Sequence, residues 1–94
     1  MSNAIVTFKL MPESPDTDVE AIKVAAEKMA KEAGAKGETQ AKIEPLAFGL
    51  KQVLVMGMYE MNDNADFDAI CDKMKAEIDG VTQAEVANMD LALG

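Results

Sequence analysis

The chain has 94 residues, a formal net charge of −8 and no His, and its nine basic side chains are all lysines. This acidic balance argues against direct binding to nucleic acid, which requires clustered lysine and arginine side chains along the phosphate backbone. A chain of this length forms one domain, and we expect a single domain over residues 1–94 with an ordered core over about residues 4–91.

The sequence contains a single cysteine, Cys71, and only short apolar segments. One cysteine cannot form an internal disulfide, so residence in the cytoplasm is the simplest expectation. No apolar run reaches the roughly 20 residues that a membrane-spanning helix needs. We therefore expect a cytoplasmic protein that does not enter a membrane.

A first strand is predicted over residues 4–11, where apolar residues alternate with mixed ones as in a half-buried strand. The apolar face carries Val6, Phe8 and Leu10, and the other face carries Ile5, Thr7, Lys9 and Met11. Pro12 and Pro15 then end the strand, because proline has no backbone N–H to donate to a sheet.

The next segment, from about Asp16 to Ala33, repeats its apolar residues at helical spacing. Ser14 is predicted to cap this helix, with Pro15 in its first turn. Gly34 follows the last periodic residue and ends the helix.

Two strands of different character follow. The segment Glu38 to Glu44 is polar enough to lie at the edge of a sheet. The segment Leu50 to Glu60 is nearly continuous in apolar residues, which predicts a central strand.

A second helix is predicted after the turn at residues 62–64, whose Asn and Asp residues would also cap it. Its apolar stripe consists of Phe67, Ile70, Cys71, Met74 and Ile78. The helix ends at Asp79 and Gly80, and a last strand runs from Val81 to about Leu91.

The predicted order of elements is β-α-β-β-α-β. Right-handed crossovers join the strands of each β-α-β unit, and two such units linked by a hairpin form an α+β, ferredoxin-like two-layer sandwich. We therefore predict a four-stranded antiparallel sheet with two helices on one face, and with the first and third strands in the centre. The other face of the sheet stays uncovered, and it is either ordinary exposed apolar surface or a contact face for another protein.

Residues for covalent catalysis are scarce in this sequence. Cys71 lies on an apolar helix stripe and has no His to activate it, so a core position is the better interpretation. Asp66 and Asp68 superficially resemble a calcium loop, but the glycine and distal glutamate of such a loop are missing. We predict neither an enzyme nor a bound metal or cofactor.

The hairpin between the two middle strands reads "IEPLAFGL" from Ile43 to Leu50, which is unusually apolar for a turn. One interpretation is that its apolar side chains fold back onto the helix layer. The other is that they protrude and dock on a partner, where a buried aromatic residue contributes strongly to binding.

Several segments together resemble a known family. "VTFKLMPESPDTDVEAI" near the start, "IEPLAFGLKQVLVMGMYE" in the middle and "IDGV" at Ile78 to Val81 are similar to the guanine-nucleotide exchange domains of the elongation factor 1-beta family, in particular its archaeal members. The resemblance covers nearly the whole chain and implies a ferredoxin-like fold.

The resemblance also implies an activity without covalent chemistry: exchange of GDP for GTP on the GTPase elongation factor 1-alpha during protein synthesis. That GTPase would be the partner, and no cofactor would be needed. The partner-binding residues expected in this sequence are Leu46, Phe48, Gly49 and Lys51.

The sequence departs from the family near its C-terminus. Eukaryotic members of the family place a lysine there, against the Mg²⁺ region of the GTPase, whereas this chain has no Lys or Arg after Lys75 and carries Asp90 instead. A mechanism of lysine insertion is therefore not expected to apply. An alternative function stays open, that of a non-exchanging interaction module that self-associates as a weak homo-oligomer through the open sheet face.

Overall fold

The computed structural model describes residues 2–61 and 66–92, and it has the predicted order of elements. In chain order these are β1 (Ser2–Pro12), α1 (Val19–Glu32), β2 (Lys36–Pro45), a 3₁₀ turn (Ala47–Gly49), β3 (Lys51–Met61), α2 (Phe67–Glu77) and β4 (Val81–Ala92). The strand bounds differ from the predicted ones by at most two residues, and β4 begins at Val81 as predicted. The predicted turn at residues 62–64 lies outside the described residues.

The four strands form one antiparallel sheet in the order β2-β3-β1-β4. The prediction that the first and third strands are central is therefore confirmed, and β2 lies at an edge as its polar sequence indicated. Phe8 pairs with Val55 in β3 and with Val86 in β4, and a register shift beside Phe8 leaves Ala87 as an extra residue in β4.

The core lies between the sheet and the two helices, which both pack on the same face. On the sheet side the fully buried residues are Ala4, Val6, Phe8, Leu10, Val53 and Val55, and the helices add Ile22, Ala26, Ala30 and Met74. Three aromatic rings meet in this core, with centroid distances of 5.9 Å between Phe8 and Tyr59 and 5.3 Å between Tyr59 and Phe67. The fold is the predicted ferredoxin-like sandwich.

The predicted cap of the first helix is wrong. Helix α1 begins at Val19, and the side chain of Asp18 accepts a hydrogen bond from the Ala21 N–H at 3.2 Å. Ser14 instead closes a separate turn, in which its N–H donates to Thr17 Oγ1 at 3.1 Å. An aspartate side chain at the N-cap can accept a hydrogen bond from a backbone N–H of the first helical turn that has no partner within the helix. Asp18 therefore takes the role expected of Ser14.

The second helix is also capped by an aspartate, since Asp66 accepts a hydrogen bond from the Ala69 N–H at 3.0 Å. Helix α2 ends at Glu77, and Ile78 is already extended, although its side chain is buried with the predicted stripe. Within the described residues, neither helix has the length and apolar character needed to cross a membrane.

The connections group at one end of the sheet. Because Leu10 pairs with Val53 and Pro12 pairs with Val81, the β1–α1 loop, the β2–β3 hairpin and the α2–β4 turn all lie at this end. The Glu13 N–H donates to the Gly80 carbonyl at 2.7 Å and ties two of these connections together. The end of β4 lies at the opposite end of a molecule with principal extents of 42 × 23 × 18 Å.

Candidate functional site

The hairpin tip, defined here as residues 46–50, closes β2 onto β3 with two backbone hydrogen bonds. The Leu46 N–H donates to the Leu50 carbonyl at 2.7 Å, and the Leu50 N–H donates to the Ala47 carbonyl at 3.2 Å. Hydrogen-bonded and non-hydrogen-bonded pairs alternate along antiparallel strands. Because Leu46 is hydrogen-bonded to Leu50, the next pair, Pro45 and Lys51, is a non-hydrogen-bonded one. An N–H at position 45 would face away from β3, so proline removes no ladder hydrogen bond there. A proline is therefore tolerated directly before the tip.

Phe48 is the most unusual residue of the tip. Its φ of 62° and ψ of 28° lie in the left-handed region, and it is the one non-glycine residue with positive φ within the described part of the chain. Its side chain is 95% exposed. A bulky side chain in this region is strained, so an aromatic ring is held in water at a conformational cost.

The other predicted contact residues lie beside Phe48 in the same hairpin. Leu46 is 37% exposed, Lys51 is exposed, and Gly49 follows Phe48 with a φ of 76° that glycine adopts without strain. The structure thus brings all four predicted residues together at one corner. The interpretation in which the apolar side chains of the turn fold back onto the helix layer is wrong for Phe48.

The open face is the side of the sheet away from the helices, and its central strands contribute Ile5, Thr7, Lys9, Met11, Gln52, Leu54, Met56, Met58 and Glu60. As predicted, the four β1 residues of this set lie together opposite the buried ones. A groove of about 450 Å³ lies on this face, and Leu54, Met56, Lys9 and Lys42 are among the residues that line it. Lys9 is paired with Glu85 at 2.7 Å.

Comparison with known proteins identifies the family. The EF-1 guanine nucleotide exchange domain family matches residues 5–91. The chain belongs to this family. The resemblance inferred from the sequence is thereby confirmed, together with a role in guanine nucleotide exchange in translation elongation.

Curated relatives match this exchange domain along almost its full length. It is 34% identical over 91 residues to elongation factor 1-beta of Methanosphaerula palustris, with 97% of this chain and 99% of the relative covered. It is 32% identical over 93 residues to the protein of that name in Methanocorpusculum labreanum, with coverage of 99% and 100%. The corresponding protein of Metallosphaera sedula is 32% identical over 89 residues, with coverage of 95% and 94%.

The buried titratable groups of the exchange domain lie in its core, away from the hairpin tip. Burial, together with the negative charges of Asp68, Asp72 and Glu85, raises the pKa of the Cys71 thiol to about 11. Burial also raises the pKa of Tyr59 to about 12, and its hydroxyl donates to the Ala30 carbonyl at 3.2 Å. Cys71 is therefore a core residue, as predicted, and its protonated thiol is a poor nucleophile.

Two features of the tip were not foreseen from the sequence. The first is the left-handed conformation of Phe48, for which an aromatic side chain gives no signal. The second is a cross-strand hydrogen bond from Gln52 Nε2 to Glu44 Oε1 at 2.8 Å, directly below the tip. Once the centre of the turn is fixed, the spacing of these two residues predicts that they face each other, because the register pairs Glu44 with Gln52.

Proposed function

We propose that this exchange domain accelerates the release of GDP from elongation factor 1-alpha by docking its hairpin tip on that GTPase, without covalent chemistry of its own. It acts as a single domain in the cytoplasm, where translation takes place. The observation that carries the proposal is the exposure of Phe48, at 95%, in a left-handed conformation. Strained residues cluster at functional sites, where the cost is retained because the conformation is used.

The energy available from this docking is substantial. Transfer of one phenylalanine side chain from water to an apolar pocket contributes about 1.5–3 kcal/mol. Leu46, which is 37% exposed beside Phe48, adds further apolar area at the same corner. Two backbone hydrogen bonds also hold the turn of the tip before it binds, which lowers the ordering cost of the association.

Binding at the tip promotes exchange only if it is coupled to the nucleotide site. GTPases hold GDP through a phosphate-binding loop and Mg²⁺, so a partner that distorts this region weakens GDP. The factor by which the domain weakens GDP equals the factor by which GDP weakens the domain. Coupling of about 1–3 kcal/mol corresponds to a change of roughly 5–150-fold in either affinity.

The last strand does not supply a cation that could displace Mg²⁺. The chain has no Lys or Arg after Lys75, and Asp90 of β4 accepts a hydrogen bond from Asn88 Nδ2 at 2.8 Å. A carboxylate cannot take the place of Mg²⁺ there, because it carries the same sign of charge as the nucleotide phosphates. We therefore assign the coupling to apolar docking at the tip and to no side chain of β4.

The proposal is tested by preloading elongation factor 1-alpha with fluorescent GDP and following its release at increasing concentrations of this domain. We expect faster release that saturates, and a large increase in the half-saturating concentration for Phe48→Ala. The matched control is Val24→Ala, since Val24 is a large apolar residue 65% exposed on α1. An unchanged release rate with the unmodified domain, or equal effects of the two substitutions, contradicts the proposal.

A second candidate function is self-association through the open face. Self-association is favoured by the groove of about 450 Å³ and by Met56, which lines this groove and is 39% exposed. Light scattering over a range of concentrations tests it: a stable dimer that is lost on Met56→Lys supports self-association. A monomer at all concentrations removes this candidate and leaves exchange as the function.

A further inference from the structure

The hairpin tip has few contacts that fix its direction. Ala47, Phe48 and Gly49 are all exposed, and β2 is an edge strand that pairs only with β3 in the described sheet. Edge strands and exposed connections open locally at low free energy. The direction in which Phe48 points therefore depends on the cross-strand contacts just below the tip.

The contact nearest to the tip is the side-chain pair of Glu44 and Gln52. These residues face each other in the register, one pair below Pro45 and Lys51. Gln52 Nε2 donates to Glu44 Oε1 at 2.8 Å, and this bond is partly buried on the open face. The other oxygen of Glu44 lies 3.7 Å from Lys42 Nζ, whose side chain is 68% exposed.

A hydrogen bond to an ionised carboxylate is stronger than one between neutral groups. The ion pair with Lys42 is long and exposed, and pairs of this kind contribute little. Between the two contacts of Glu44, the bond from Gln52 therefore dominates.

We propose that Glu44 and Gln52 are positioning residues for exchange: their hydrogen bond fixes the hairpin tip so that Phe48 is presented to the GTPase in one orientation. This inference rests on the proposed function of the tip. Neither residue has to touch the GTPase. Their effect is to remove a disordered set of tip conformations, only some of which can dock.

The sharpest test exchanges the two side chains of the pair in two steps. Gln52→Glu places two carboxylates opposite each other, which replaces a hydrogen bond with repulsion. Adding Glu44→Gln to that variant restores the same donor and acceptor with their strands exchanged, at the original net charge. The matched control is Gln40→Glu, which adds the same negative charge at an exposed position of β2 away from the tip.

The first measurement is amide hydrogen exchange and needs no GTPase. For Gln52→Glu we expect the amides of Leu46 and Leu50 to exchange about three- to tenfold faster, the scale of one net hydrogen bond. The amide of Phe8 in the core reports on global unfolding and is expected to exchange faster by no more than the same factor, because the pair also contributes to overall stability. The double variant is expected to return Leu46 and Leu50 to their original rates, and Gln40→Glu to leave them unchanged.

The second measurement is release of fluorescent GDP from elongation factor 1-alpha. A positioning role predicts a half-saturating concentration about three- to tenfold higher for Gln52→Glu. The maximal release rate is unchanged, because the docked complex is the same, and the double variant recovers the original value.

Unchanged exchange at Leu46 in Gln52→Glu overturns the inference. Faster exchange at Leu46 and Leu50 that the double variant does not restore also overturns it. So does a Gln52→Glu variant whose tip amides exchange faster but whose half-saturating concentration in GDP release is unchanged, while Phe48→Ala raises that concentration. If Phe48→Ala itself has no effect on GDP release, the proposed function has failed, and the positioning role fails with it. The amide data separate that result from a failure of the hydrogen-bond assignment.

Discussion

Replacement of Phe48 by asparagine is expected to stabilise the free domain while it weakens the action of the domain on the GTPase. The side chain is 95% exposed, so its removal uncovers almost no apolar surface in the free protein. Its φ of 62° and ψ of 28° are unfavourable for phenylalanine, whereas asparagine adopts this region readily. Binding and stability should therefore change in opposite directions.

The magnitudes follow from this geometry. A left-handed residue with an ordinary side chain costs roughly 1–2 kcal/mol, and we expect Phe48→Asn to recover about 0.5–1.5 kcal/mol of that cost. For a domain of this size, such a gain raises the melting temperature by about 2–10 °C. Loss of about 1.5–3 kcal/mol of apolar docking energy raises the half-saturating concentration in GDP release by roughly ten- to a hundredfold.

The assays are thermal unfolding followed by circular dichroism and release of fluorescent GDP from elongation factor 1-alpha. Phe48→Ala is the first control, because alanine keeps a Cβ and thus most of the strain, so its stability should stay within about 0.5 kcal/mol of the original. Phe8→Ala is the second control, because Phe8 is fully buried and its truncation should cost about 3–5 kcal/mol. A melting temperature that falls for Phe48→Asn would refute the argument from strain.

Four further predictions concern the core and one turn. The raised pKa of Cys71, about 11, predicts slow alkylation by iodoacetamide near neutral pH until the chain unfolds. Because Cys71 and Tyr59 lose their protons at lower pH in the unfolded chain, stability should be full below pH 9 and fall as the pH rises towards about 12, as a pH series of urea melts would report. Tyr59→Phe removes the hydrogen bond to Ala30 and should cost about 0.5–1.5 kcal/mol in the same melts without changing GDP release. Gly80→Ala should cost about 1–3 kcal/mol, because a Cβ there would lie 2.7 Å from Thr17 Cγ2 at a φ of +87°; Gly34→Ala, also at positive φ but in open space, should cost less.

The sheet was predictable because its residues alternate with a clear period. Val6, Phe8 and Leu10 are apolar in a strict two-residue repeat, and burying them fixes which face of β1 meets the helices. The continuous apolar character of β3 placed it in the centre by the same reasoning. These patterns reflect burial, which is the largest favourable term in folding.

Helix caps were less predictable, because several residues competed for the same role. Ser14 and Asp18 both have side chains that can cap a helix, and the choice depends on where the chain leaves the proline-containing turn. The turn from Ser14 to Thr17 satisfies its own hydrogen bonds and delays the helix until Val19. Such local alternatives differ by about 1 kcal/mol, which a sequence pattern does not resolve.

The sequence pointed to the hairpin tip as a candidate site, but it did not predict the conformation of the tip. Apolar residues in a hairpin that needs only turn-forming residues indicated Leu46 and Phe48. The left-handed φ of Phe48 could not be inferred, because the intrinsic preference of an aromatic residue opposes it and the closure of the hairpin imposes it. Strain of this kind is expected where function and local preference disagree.

The position of the tip constrains how exchange can work. Phe48 and the end of β4 lie at opposite ends of a molecule 42 Å long, and β4 carries Asp90 and neither Lys nor Arg. A partner shifts an equilibrium only through a difference in its affinity for the two states. Equal docking of Phe48 on the GDP-bound and nucleotide-free GTPase would therefore release no GDP, however tight it was. The proposed docking therefore requires that the surface receiving the tip differ between the GDP-bound and the nucleotide-free GTPase, and that the domain prefer the nucleotide-free GTPase by the same factor as it weakens GDP.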